Sequence, residues 1–205
     1  MKILVMGAGA VGGYFGGVLA RSGQDVRLIA RGPHLAAIRS NGLTVRSDKS
    51  GEFTVRVPAA ERPDGAWRPD LVLFCVKGYQ NDAAIKAMRP AVGGNTAILT
   101  VQNGLGSGDH LSDAFGAGAV LLGAAYVEAE RRGPGMFAEL GGACRIVFGE
   151  PDGARSQRAL SVLGTLHEAG IDAVLSEDPT LALWNKLVFI CALSGMTCIC
   201  RGSFS

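Results

Sequence analysis

The 205-residue chain is 48% hydrophobic and 19% charged, with a formal net charge of +2. That balance excludes a disordered chain, and so small a charge without a Lys/Arg block argues against nucleic acid or an acidic membrane as partner. The length allows one domain with a real core plus a remainder. The first predicted element is a buried strand over residues 1–6, so no signal peptide opens the chain and a cytoplasmic setting is expected. It runs into Gly7-Ala8-Gly9-Ala10-Val11-Gly12 and then into a small, apolar helix pattern over 13–20. A G-x-G-x-x-G between a strand and a helix is the context of a dinucleotide-binding turn. Gly7 allows the tight turn, Gly9 lets the backbone approach a pyrophosphate, and Gly12 lets the helix pack against the strand. Backbone N–H groups and the positive end of the helix dipole hold phosphate there.

A second strand over 25–29 ends at Ala30-Arg31-Gly32. An NAD site places an acid about 20 residues beyond the glycines, and none stands at this tip. Arg31 offers a guanidinium fork suited to a 2′-phosphate, which favours NADP(H); the alternative is a solvated surface arginine. Residues 35–41 read as helix, and 43–46 and 53–57 as a hairpin around Gly51. The near-continuous apolar run over 70–77 reads as a parallel strand covered on both faces, followed by a helix to about Met88 and a buried strand over 96–101. Strands are expected over 120–127 and 145–148, with a short one over 136–139 between them. A helix over 156–169, a last strand over 172–175 and a long apolar helix opening at Pro179 complete the chain.

This alternation predicts a doubly wound parallel sheet with ligands at the carboxyl ends of its strands. Lys77 and Asn103 end two of those strands and should face the same crevice as the glycine turn. The five cysteines lack CxxC spacing and read as reduced thiols, with Cys75 in a core strand. Cys198-Ile199-Cys200 has no partner ligand pair, so no metal site is expected. His34, His110 and His167 read as surface residues. Lys186 interrupts an apolar helix between Leu183-Trp184 and Leu187-Val188. A charge there should face a cleft or a partner, the alternative being a stem that snorkels to solvent. Residues 187–200 are too short for a membrane span, which needs about 20 apolar residues.

The ordered set Gly7 to Tyr14, Ala30-Arg31-Gly32, Cys75-Val76-Lys77, Gln102-Asn103-Gly104 and Trp184-Asn185-Lys186-Leu187 resembles the ketopantoate reductase (2-dehydropantoate 2-reductase) family. The resemblance implies an α/β protein with a Rossmann-like doubly wound NADP-binding domain over 1–177. The first helix of an all-helical substrate and dimerisation domain would follow over 178–205. It implies an NADP-dependent oxidoreductase that reduces ketopantoate to pantoate for pantothenate and coenzyme A synthesis. In that reading Gly7, Ala8, Gly9, Ala10, Val11, Gly12 and Arg31 bind NADP(H). Lys77 and Asn103 line the crevice for cofactor and substrate, and Lys186 is catalytic.

Hydride attack on a ketone puts negative charge on its oxygen, which an ammonium can stabilise and then protonate. Two departures qualify the assignment. Asparagines tend to follow the family's lysine four and eight residues later, whereas here those positions are Ile190 and Ser194, leaving Ser194 as the substrate contact. Family members also continue for roughly another hundred residues, so most of the helical domain is expected to be missing, with a second copy of the chain as one cover for the last helix. Two alternatives stay open: an NADP(H)-binding protein with little turnover, or a relative that reduces another small 2-oxo acid. A different Rossmann dehydrogenase, of the 3-hydroxyacid or 6-phosphogluconate type, accounts less well for Lys77, Asn103 and Lys186.

Overall fold

The structure is a computed structural model, and it describes residues 1–202. The chain runs through β1 (Lys2–Met6), α1 (Ala10–Arg21), β2 (Asp25–Ile29), α2 (Gly32–Asn41), the hairpin β3 (Leu43–Ser47) and β4 (Gly51–Val55), and a two-residue β5 (Ala59–Ala60). β6 (Leu71–Phe74), α3 (Asn81–Met88), β7 (Ala97–Thr100), α4 (Ser107–Phe115) and β8 (Val120–Tyr126) follow. Then come β9 (Ala129–Gly133), β10 (Met136–Glu139), β11 (Arg145–Gly149), α5 (Gln157–Glu168), β12 (Asp172–Leu175) and α6 (Pro179–Cys200). Three elements, β5, α4 and β9, add to those expected from the sequence, although Leu111, Ala114 and Phe115 of α4 share one helical face and pack together.

The main sheet has the order β12-β11-β8-β7-β6-β1-β2-β5. From β5 to β8 it is parallel and Rossmann-like, and every residue of β6 and β7 is buried because helices cover both faces. The connection from β1 leads outward to β2 and that from β6 leads the other way to β7, so the strand order reverses between β1 and β6. In such sheets the crevice at the reversal takes the ligand. Register fixes where that crevice opens: Met6 lies level with Ile29 and Phe74, and Phe74 with Thr100. The residues that follow these four strands therefore share one edge.

Two expectations are corrected. The sheet is mixed, because β11 runs antiparallel to β8, with β12 parallel to β11. The chain leaves β8 at its carboxyl end, makes β9 and β10, and re-enters from that same end, so β11 must run backwards. The strand expected over 70–77 is confined to Leu71–Phe74, and Cys75 stands just beyond it, half-buried rather than in the strand.

A second sheet, ordered β4-β3-β10-β9, lies on the far side of α1. The glycines of α1 explain how one helix fits between two sheets. A Cβ on Gly12 would come within 3.0 Å of Val5, and one on Gly16 within 2.9 Å of Leu28, both in the main sheet. On the other side, a Cβ on Gly13 would overlap the Phe137 ring at 2.2 Å, and one on Gly17 would sit 2.7 Å from Leu43. Two glycine pairs at i, i+4 spacing thus make two helix faces flat enough for sheet contact.

α6 starts at Asp178, whose carboxylate accepts the Leu181 N–H at 2.9 Å, with Pro179 at the first helical turn. Its first turns pack on β8 and β11, where the Tyr126 hydroxyl donates to Ala182 O at 3.4 Å. Beyond them Val188, Phe189, Met196 and Ile199 are exposed. The 22-residue helix contains an 18-residue stretch of mean hydropathy 1.6 and is long and apolar enough to cross a bilayer by length and composition alone, a measure that residues 187–200 by themselves do not meet.

Candidate functional site

Each glycine of the 7–12 turn answers to a different constraint. Gly7 has a φ of +101°, and a Cβ there would stand 2.8 Å from Val76. A Cβ on Gly12 would collide with Gly7 O at 2.2 Å. Gly9 has an ordinary φ of −78° and nothing within 4 Å of a Cβ position. Neither backbone nor packing demands glycine at position 9, so the vacancy faces the crevice, where it admits a group from outside. Ala8 between them is anchored, its N–H donating to Ile29 O at 2.9 Å.

Two cavities meet at this turn. The first, about 330 Å3, is lined by Gly7, Ala8, Gly9, Arg31, His34 and Arg131 among others, and among the described residues no acidic side chain lines it. Tyr79, 86% exposed, stands at its rim and offers an aromatic face for a base. The second, about 250 Å3, is lined by Gly7, Gly9, Ala10 and Val11 on one side and Lys77, Gln102 and Asn103 on the other. Both Lys77 and Asn103 are exposed, and among the described residues the Lys77 ammonium has no ion pair.

Gln102 holds the second cavity in shape. It is buried, donates from Nε2 to Val76 O and to Asn81 Oδ1 at 2.7 Å each, and accepts from Thr100 at 3.2 Å. The loops after β6 and β7 are thereby bound to each other. A third cavity, about 190 Å3, shares Gln102 and extends to Leu183 and Trp184 of α6.

Lys186 is 7% exposed. Its Nζ donates to Ala125 O at 2.5 Å and lies 5.8 Å from the centre of the Tyr126 ring. Desolvation by burial lowers its pKa from 10.5 to about 8. Ala125 sits near the carboxyl end of β8, the strand whose Leu122 pairs with Thr100 at the end of β7. The ammonium is therefore held at the sheet edge that carries the glycine turn, although Lys186 itself lines none of the three cavities.

His34 corrects the expectation of a surface histidine: it is buried. Its Nδ1 accepts the Gly135 N–H at 2.9 Å, so the ring proton is on Nε2, which donates to Ala8 O at 2.8 Å. Desolvation by burial lowers its pKa, and the nearby Arg131 guanidinium adds to the effect. Three segments distant in sequence, the glycine turn, α2 and the β9–β10 turn, meet on one imidazole.

Residues 3–153 match the ketopantoate reductase PanE/ApbA family. The chain belongs to that family. Its members are pyridine-nucleotide-dependent oxidoreductases. It is 34% identical over 95% of its length to the 2-dehydropantoate 2-reductase of Pyrococcus abyssi, covering 62% of that protein. It superposes with a TM-score of 0.92 on the crystal structure of a 2-dehydropantoate 2-reductase from Geobacter metallireducens, at 36% identity, over 98% of this chain and 66% of that one. The enzyme of the same name from Porphyromonas gingivalis gives a TM-score of 0.90 at 30% identity, over 97% of this chain and 71% of that one. The chain spans less than two thirds of the length of the curated relatives it matches, 62% to 65% of three of them.

Within this ketopantoate reductase framework, the structure brings Gly7, Ala8, Gly9, Ala10, Val11, Arg31, Lys77 and Asn103 to the two cavities. Gly12 lies under them as a packing residue. Ser194, two turns beyond Lys186, is exposed and lines none of the three. Sequence reasoning passed over three residues of the site. Gln102 was visible as part of Gln102-Asn103-Gly104 but without a role. His34 and Arg131 gave no local signal, because their partners lie on other elements.

Proposed function

We propose that this chain binds NADP(H) and serves the reduction of a small 2-oxo acid, ketopantoate to pantoate being the best-supported case. The observation that carries the reading is Lys186, a buried ammonium with its pKa lowered to about 8, fixed at the carboxyl edge of the sheet that bears the glycine turn. The residues present fit the cofactor. Gly9 leaves an open approach to the backbone, and the first cavity carries Arg31 and no carboxylate. In this reading residues 1–177 form the NADP-binding domain and 178–205 begin the substrate and dimerisation domain.

Gly7, Ala8, Gly9, Ala10, Val11 and Gly12 would hold the pyrophosphate through backbone N–H groups and the α1 dipole, Arg31 the 2′-phosphate, and Lys77 and Asn103 the groups nearest the reacting carbon. NADPH, once bound, supplies the hydride. Lys186 would hold the keto oxygen through Nζ and pass it a proton as the alcohol forms. A pKa near the working pH suits that role, since the group is charged before the step and can lose its proton during it. Ser194 would serve as a substrate contact only through a rearrangement of α6. The proposal includes a cytoplasmic setting without nucleic-acid or membrane partners, and a homodimer as one cover for the exposed Val188, Phe189 and Ile199.

A second reading, NADP(H) binding with little turnover, draws on Ile190, which offers no hydrogen bond where the family tends to have an amide, and on the exposed position of Ser194. Titration of the 205-residue chain with NADPH and NADH, followed by addition of ketopantoate while cofactor absorbance is recorded, separates the two. Oxidation of NADPH supports the reductase. Tight binding without oxidation leaves the second reading, and a preference for NADH refutes the assignment of Arg31.

A further inference from the structure

Arg31 is not the only guanidinium in the first cavity. Arg131 lines the same cavity from β9, a strand 100 residues further along the chain. Its neighbours Glu130 and Arg132 pair with each other and leave Arg131 out of the pair. Arg131 itself is exposed and has no ion pair among the described residues. Its register partner is Phe137, whose ring rests where a Cβ of Gly13 would be, so Arg131 stands on the face of the second sheet that looks toward α1 and the glycine turn. His34 keeps this approach in place, since it accepts from Gly135 in the β9–β10 turn and donates to Ala8 in the glycine turn.

Among the described residues the cavity therefore holds two guanidinium groups without an ion-pair partner, from unconnected elements, and no carboxylate. A pyrophosphate is served by the glycine turn alone, and two additional exposed positive charges match a further dianionic group. We propose that Arg131 is a second specificity-determining residue for the cofactor's 2′-phosphate, acting with Arg31 as a two-sided clamp. The proposal rests on the reading of this site as an NADP(H) site. It assigns to the inserted second sheet, and not only to the β2–α2 turn, a part in choosing the dinucleotide.

The experiment is calorimetric titration of the full 205-residue chain and its Arg131→Gln variant with adenosine 2′,5′-bisphosphate and with 5′-ADP. The two probes are both adenosine phosphates, and only the first carries the 2′-phosphate. Loss of a charge-assisted contact should weaken the bisphosphate about tenfold or more in Arg131→Gln, with 5′-ADP changed by less than about twofold. Arg131→Lys, which keeps the charge but not the fork, should fall between wild type and Arg131→Gln. An equal loss for both probes would place Arg131 on the pyrophosphate or in the fold and overturn the proposal. So would a variant that retains the full preference for the bisphosphate. A wild-type chain that does not prefer the bisphosphate overturns the NADP(H) reading as well, which distinguishes the two failures.

Discussion

Lys186→Met tests the chemistry and the energetics of the buried ammonium together. Methionine keeps an unbranched stem and removes the charge. The depression of the lysine pKa from 10.5 to about 8 corresponds to roughly 3 kcal/mol by which folding disfavours the charged lysine, at about 1.4 kcal/mol for each pH unit. The variant escapes that penalty but leaves Ala125 O without its hydrogen bond, a loss of about 1–2 kcal/mol. The expected net effect is a gain of about 1–2 kcal/mol at pH 7, together with loss of ketopantoate reduction and little change in NADPH affinity. The sign follows from a folded-state pKa below the unfolded one. The penalty is complete below pH 8 and fades between pH 8 and 10.5, so wild type gains stability across that window and Lys186→Met does not. Urea unfolding followed by tryptophan fluorescence from pH 7 to 10.5 measures the difference, in which titrations common to both proteins cancel. A variant that is less stable than wild type at pH 7 by an amount that stays constant up to pH 10.5 would refute the assignment of a desolvated, charged lysine.

Gly13→Ala should lower stability by about 1–3 kcal/mol through the overlap with Phe137, read as a fall in the urea midpoint. Gly9→Ala should leave that midpoint nearly unchanged, because nothing stands within 4 Å of the new methyl, yet weaken NADPH binding strongly by blocking approach to the backbone. His34→Gln should destabilise the protein by about 1–3 kcal/mol at pH 7.5. The folded-state pKa of His34 is lowered, so its contribution is complete above pH 6.5 and diminishes as pH falls below that value, and the gap between wild type and variant should narrow there. Gln102→Leu removes the donor to Val76 O and Asn81 and should weaken cofactor binding while leaving the β1 to α2 half of the crevice unaffected, which amide hydrogen exchange can resolve.

The strands and helices that build the crevice were legible because each is specified within a few residues. The apolar runs of β1, β6 and β7 announce strands covered on both faces, and Gly7, Gly9 and Gly12 announce a turn whose backbone needs are local. Arg31, Lys77 and Asn103 could be placed at the crevice for the same reason: each lies within a few residues of a strand's carboxyl end, and the ends of parallel strands in register share an edge. The direction of β11 was not legible in this way. An amphipathic strand reads the same in either sense, and only the re-entry of the chain after β9 and β10 decided it.

What the sequence determined by itself is therefore most of the elements, with β5, α4 and β9 outside them, together with the glycine turn and the residues that close the central parallel strands. Tertiary structure decided everything that depends on two distant segments meeting. The second face of α1, made by Gly13 and Gly17, acquires meaning only with Phe137 and Leu43 against it. His34 reads as one more polar residue on a weakly amphipathic helix until Ala8 and Gly135 come within hydrogen-bond distance. Gln102 gains its role from Val76 and Asn81, and Lys186 its lowered pKa from the wall of β8. The physical reason is the same each time. Periodicity and turn chemistry record what the backbone requires locally, whereas desolvation and hydrogen-bond partnership at these positions are properties of contacts that only the folded chain makes.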